Sequence, residues 1–262
     1  MIDLIRASVR FLRSTAALWV LLALLPSHGA AQSSVSDGTF LDTDWSLTQF
    51  TAGNGGSSTA AQVLTGGNPG AYRNVTDALN AAPLNSQTIV LSTSIYTPFT
   101  YNPSVAGAIT SLDYAEDAAC TSGCFGQGQS TGPALLQGGN RYILSSSTVI
   151  TGAGAAWSPH TLSGLTAADF GLVNVTPTTI FDNTQHPNFS VTGAPIQFGF
   201  FRANGTSVNG GGYTLAAGID NWQITLATAT PRSGVPALGV AELAVLTGLL
   251  ALFGTAFLRR AR

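Results

Sequence analysis

The run Asp113-Tyr114-Ala115-Glu116-Asp117 holds the densest chemistry in this chain, with three carboxylates inside five residues. Oxygen donors at that density suit a hard cation such as Ca2+, which takes carboxylates and carbonyls. Asp220 offers a further oxygen from a later strand. The simpler account, and the favoured one, is a solvated acidic edge, or pairing of Asp113 and Asp117 with Arg141 or Arg73. Retaining glycoside hydrolysis also needs two carboxylates, about 5 Å apart. Strand positions i and i+4 share a face, so Asp113 and Asp117 fall together and Glu116 falls opposite. Glu116 is the sole glutamate between residues 32 and 231, which weighs against a catalytic pair. No catalytic residue is assigned.

Other reactive residue types are sparse. His160 and His186 each sit beside a proline, with no serine and carboxylate pattern around them that would build a triad. Trp45, Trp157 and Trp222 are candidates for a sugar-stacking platform. Trp222 alternates with core residues, so Trp157, beside Ser158-Pro159, is the one placed for exposure. Arg202 shares a strand face with Ile196 and Phe198. It therefore lies at a wet strand end or pairs with a buried acid. Cys120 and Cys124 are the only cysteines. In an exported chain they form a local disulfide, which stiffens a loop and contributes about 2 kcal/mol on the chain-entropy model.

Charge sets bounds on partners. The chain has no lysine, and residues 32–231 carry three arginines against ten acidic residues. Nucleic-acid binding rests on neutralising phosphates with Lys and Arg, so this segment is not a nucleic-acid binder.

The elements that would position these residues read as strands. Trp45–Phe50, Thr88–Tyr96, Arg141–Thr151, Ile196–Arg202 and Ile219–Leu226 alternate with period two, the pattern of half-buried antiparallel strands. Gly- and Asn-rich runs at Gly53, Gly66 and Asn209 supply turns, and Asn209-Gly210 reads as a hairpin signal. Helix is scarce: Val75–Ala82 makes a short turn or two. Leu165–Phe170 makes one turn, with Thr166 and Asp169 in a capping-box arrangement. The fold class is all-β, an antiparallel β-sandwich of jelly-roll type.

Both ends carry addresses. Arg6, Arg10 and Arg13 precede an apolar core from Ala16 to Leu25, followed by Gly29-Ala30-Ala31, the layout of a signal peptide with cleavage at Ala31. Near the other end, Ala237–Leu258 is long and apolar enough to cross a bilayer. Arg259, Arg260 and Arg262 follow it and hold that end in the cytoplasm. The organisation is then a signal peptide at 1–31, a β-sandwich ectodomain at 32–231 and a C-terminal anchor segment at 232–262 with its transmembrane helix at 237–258.

Two resemblances follow from particular residues. Val235-Pro236, the apolar helix and the terminal arginines resemble the bacterial PEP-CTERM sorting signal. Here Val-Pro-Ala-Leu stands where that family has Pro-Glu-Pro, and it approaches the Ile-Pro-Thr-Leu variant. The resemblance implies signal peptidase and an exosortase-type processing enzyme as partners. The segments GGNPGAYRNVTDALN from Gly66, AITSLDYAEDA from Ala108, GAPIQFGFFRANGTS from Gly193 and GYTLAAGIDNWQITL from Gly212 resemble exported laminin B and concanavalin A-like jelly rolls. Together they imply an exported, non-enzymatic β-sandwich of the cell envelope or extracellular matrix. The alternative is a carbohydrate-binding surface module, Ca2+-dependent or not, with polysaccharide as partner. A glycanase is less favoured than either, and no cofactor other than Ca2+ is implied.

Overall fold

The structure is a computed structural model that describes residues 31–123, 128–146, 148–150 and 156–229. The signal segment up to Ala30, Cys124, the sorting motif at Val235-Pro236, the helix at 237–258 and Arg259, Arg260 and Arg262 lie outside the described residues. Among the described residues no helix is long and apolar enough to cross a membrane.

Fourteen strands are described: β1 (Ala31–Asp37), β2 (Trp45–Ala52), β3 (Gly56–Gly67), β4 (Gly70–Leu79), β5 (Ile89–Tyr96), β6 (Ile109–Ser122), β7 (Gln129–Gln137), β8 (Asn140–Leu144), β9 (Thr148–Ile150), β10 (Ser158–Leu165), β11 (Phe170–Thr176), β12 (Thr179–Asp182), β13 (Ile196–Gly205) and β14 (Tyr213–Thr228). They form two antiparallel sheets. The six-stranded sheet runs β10-β6-β14-β4-β3, with β1 also on β14. The eight-stranded sheet runs β12-β11-β8-β7-β13-β5-β2, with β9 on β7. The chain crosses from sheet to sheet eight times, between β1 and β2, β2 and β3, β4 and β5, β5 and β6, β6 and β7, β9 and β10, β10 and β11, and β13 and β14. These crossings make the pair a sandwich.

The core between the sheets follows from period-two alternation. Ile219, Trp222, Ile224 and Leu226 of β14 face Leu135, Tyr142, Phe198 and Phe200 of the other sheet, all buried. Trp45 and Trp222 meet edge to face at 5.0 Å, and Trp45 donates its indole N–H to Asp37 at 2.8 Å. Such aromatic pairs contribute about 1 kcal/mol beyond their burial.

A second apolar cluster lies on the outer face of the eight-stranded sheet. Leu91, Ile95, Ile143 and Phe201 there are fully buried, with Phe50, Val173 and Phe181 around them. The sheet curls so that β11 packs against β2 and β5, and the curl seals that face. Hence β13 is buried on both sides. This explains its nearly continuous apolar sequence, IQFGFF.

Three sequence expectations are corrected here. Val75–Ala82 is not helical, because Val75 to Leu79 belong to β4 and pair with both β3 and β14. Ladder bonds and an alternating buried face outweigh the weak local helix preference. Asn209-Gly210 is not a hairpin. Asn209 has the positive φ of 58° that the dipeptide suits, but β13 and β14 lie in different sheets and the turn carries the chain between them. The Arg141–Thr151 run divides into β8 and β9. The turn at 167–169 forms as read, with Thr166 and Asp169 closing a capping box.

β14 organises the six-stranded sheet. One side pairs with β6 from Ala216 to Thr228. The other side pairs first with β4, from Tyr213 to Ile219, and then with β1, from Trp222 to Thr228. A bulge at Asn221-Trp222 falls at that change of partner, and Asn221 takes a positive φ of 49°. Asp220 and Asn221 lie between the two pairings, and the candidate site forms there.

Candidate functional site

The tip of the β3–β4 hairpin lies beside the bulge. Asn68 donates its backbone N–H to Asp220 Oδ2, and Asn221 donates its own N–H to Asp220 Oδ1 at 2.7 Å. Asp220 is therefore buried and saturated by backbone. Asp117, its register partner on β6, points to the outer face. Its Oδ2 accepts from Asn68 Nδ2 at 3.1 Å and from Asn221 Nδ2 at 2.7 Å. Asn221 Nδ2 also donates to the Asn68 carbonyl at 2.6 Å. Two asparagines thus hold two carboxylates in place at the surface of the sheet.

Next to this polar cluster lies an aromatic pair. Trp157, just ahead of β10, packs edge to face on Tyr72 of β4, with ring centroids 5.3 Å apart at 75°. The indole N–H donates to the Gly66 carbonyl at 3.0 Å. Gly218 is the seat for both rings. A Cβ placed there would stand 2.7 Å from Trp157 and 2.8 Å from Tyr72, so only glycine lets the rings lie against the sheet. Trp157 and Tyr72 are each partly exposed. Trp45 and Trp222 are buried in the core, so no three-tryptophan platform exists.

The candidate cation ligands Asp113, Glu116 and Asp117 do not come together. Asp113 is exposed and accepts from the Gly164 N–H at 2.7 Å. It lies four residues from Asp117 on one face of β6, roughly 13 Å along the strand. Glu116 points the other way, into the core. There its carboxylate accepts from Tyr114 at 2.6 Å and Thr131 at 2.7 Å, and pairs with Arg202 at 3.2 Å. Among the described residues no three His, Cys, Asp or Glu side chains group to hold a metal. Alternation separates what sequence proximity suggested. Asp113 and Asp117 do not pair with Arg73 or Arg141 either, since Arg73 takes Asp42 at 2.7 Å and Arg141 donates to Thr48.

Arg202 takes the buried-acid option that the sequence left open. It lies fully buried with Glu116, and its guanidinium sits 5.0 Å over the Phe200 ring. Burial first, and then the neighbouring Glu116 carboxylate, hold the Tyr114 phenol well above its ordinary pKa. Nearby, burial raises the Asp77 pKa to about 6, although Gln129 donates to Asp77 at 2.8 Å and Arg202 lends its charge. These groups form a polar layer inside the sandwich, closed to any substrate. His186 contacts the Phe170 carbonyl at 2.7 Å. His160 lies on β10 opposite Glu116 in the register. Cys120 is disulfide-bonded.

Tyr72, Asn68 and Asn221 were missed by sequence reasoning. Asn68 had a signal, since GGNPG marks a turn, but which strand that turn would reach was not encoded locally.

The fold and site define an antiparallel β-sandwich with one open, aromatic-bearing face. No known protein family matches the sequence, and no curated protein sequence matches it. Among solved structures, the family 11 carbohydrate-binding module from Clostridium thermocellum, in complex with a β-1,3-1,4-mixed-linked tetrasaccharide, superposes with a TM-score of 0.43 at 10% identity, covering 78% of this chain and 99% of that one. A xylan-binding domain from Paenibacillus barcinonensis gives 0.37 at 9% identity, covering 78% and 99%. A protein of unknown function from Shewanella oneidensis gives 0.36 at 14% identity, covering 84% and 97%. At these scores the overlaps carry no argument about the site.

Proposed function

We propose that this chain is an exported surface protein whose β-sandwich binds polysaccharide on the outer face of its six-stranded sheet. One observation carries the reading: the partly exposed Tyr72–Trp157 pair seated on Gly218 beside Asn68, Asp117 and Asn221. An exposed aromatic ring offers an apolar face to the C–H side of a sugar ring. The adjacent amides and carboxylate offer donors and acceptors for its hydroxyls. A few placed polar groups beside apolar surface is the general pattern of small-ligand sites. Glycan-array screening of the full-length chain, followed by titration calorimetry with the best polysaccharide, tests this. Wild type binds, and Trp157→Ala loses about tenfold or more in affinity, or about 1.4 kcal/mol. A wild-type protein silent across the array defeats the reading.

Delivery by the signal peptide and the PEP-CTERM-like tail belongs to the same proposal. The intact mass of protein recovered from cells and medium tests it. A product running from near Gln32 to near Ser233 supports processing at both ends. A mass that includes Arg262, found only in membranes, means the tail stays as an anchor.

A further inference from the structure

Arg141 stands apart from the other arginines of the sandwich. Arg73 pairs with Asp42 and Arg202 with Glu116. Among the described residues no carboxylate pairs with Arg141, although acids outnumber arginines ten to three between residues 32 and 231. Its Nη2 donates to Thr48 Oγ1 at 2.5 Å, across from β8 to β2. Its Nε–H is buried with no acceptor, as are those of Arg73 and Arg202, so what distinguishes Arg141 is the missing carboxylate. Burial pushes its pKa down, as it does that of Arg73, but no neighbouring carboxylate opposes the shift at Arg141.

This guanidinium borders a cavity of about 380 Å3 where the curled sheet brings β11 toward β2. Phe50, Leu172 and Val173 supply apolar wall, and Thr48 and Asn140 supply polar rim. The volume lies in the range of small-molecule sites. We propose that this cavity binds a small monocarboxylate with an apolar body. The ligand's carboxylate pairs with Arg141, whose planar fork matches carboxylate geometry. Its body lies on Phe50 and Val173. A bare inorganic anion leaves the apolar wall unused, and a neutral apolar molecule leaves the guanidinium without a counter-charge. The site is separate from the Tyr72–Trp157 face and does not rest on the polysaccharide reading.

Phenylacetate and its uncharged analogue phenylacetamide are the probes, titrated into the full-length chain by calorimetry and saturation-transfer NMR. Phenylacetate binds saturably, and phenylacetamide binds about tenfold more weakly or worse. Arg141→Gln lowers phenylacetate affinity by a similar factor, while Arg141→Lys retains part of it. Asn140→Trp, at an exposed rim position, fills the cavity and blocks phenylacetate with Arg141 intact. That variant keeps the test open if Arg141→Gln fails to fold. The proposal is overturned by no saturable phenylacetate binding, by equal affinity for the amide, or by unchanged binding in Asn140→Trp. In that case Arg141 serves only to tie β8 to β2 through Thr48.

Discussion

The two sheets present outer faces of opposite character. On the six-stranded sheet, Asn74, Thr76, Asp117 and Asn221 keep contact with solvent, and Tyr72 and Trp157 lie on top of Gly218. On the eight-stranded sheet, Leu91, Ile95, Ile143 and Phe201 lie at zero exposure. Both faces arise from the same alternation of side chains. The difference is curvature: one sheet stays open while the other curls until β11 meets β2. A sheet whose outer face is sealed gains a second core and gives up surface. A sheet left open has surface for a ligand and contributes one core face.

That contrast can be broken by substitution. Phe201→Ala on the sealed face is expected to cost about 4 kcal/mol, read from urea denaturation. A loss below about 1 kcal/mol means the curl does not close a real core. Between the sheets, Glu116→Gln leaves the Arg202 guanidinium buried without its counter-charge, at a cost of about 3 kcal/mol or more. Adding Arg202→Met to that variant should recover much of the loss. If the double variant is no better than the single, the charge pair is not what the first substitution disturbed.

The polar layer also predicts a pH dependence. Asp77 titrates near 6 in the fold against an ordinary value of 3.8, so folding favours its protonated form. Its contribution is fully present below pH 3.8 and is lost as pH rises through 6, worth about 3 kcal/mol in all. Stability measured from pH 4 to 8 should fall across that window, and Asp77→Asn should flatten the curve. A wild-type profile as flat as the variant's contradicts the assignment.

On the open face the effects on stability are smallest. Trp157→Ala should change it by about 0.5 kcal/mol while lowering polysaccharide affinity about tenfold or more. Gly218→Val should push both rings off the sheet and red-shift Trp157 emission. If Trp157→Ala costs as much as Phe201→Ala, the ring is structural and the two faces are not different in kind.

Local order was legible where it depends on neighbours in sequence. Trp222, Ile224 and Leu226 fall on the core side as alternation requires. The Thr166–Asp169 capping box closes within one turn, and Trp157, beside Ser158-Pro159, stays partly exposed while Trp222 is buried. The sequence also told that Arg202, set among apolar residues, needs a wet end or a buried acid. It did not tell which.

What only tertiary structure decided are pairings between distant segments. Glu116 and Arg202 meet across 86 residues, and the Trp157 indole reaches Gly66 across 91. The carboxylate run at 113–117 reads as one cluster, yet the pleat of β6 sends Glu116 inward and leaves Asp113 and Asp117 outside. Asn209-Gly210 reads as a hairpin, yet the strands it joins pair elsewhere. Side-chain periodicity is set by backbone geometry within a strand, so composition and spacing determine which residues share a face. Strand partners, sheet curl and the bulge at Asn221-Trp222 are set by packing of the whole chain, and these build the open face, the sealed core and the cavity at Arg141.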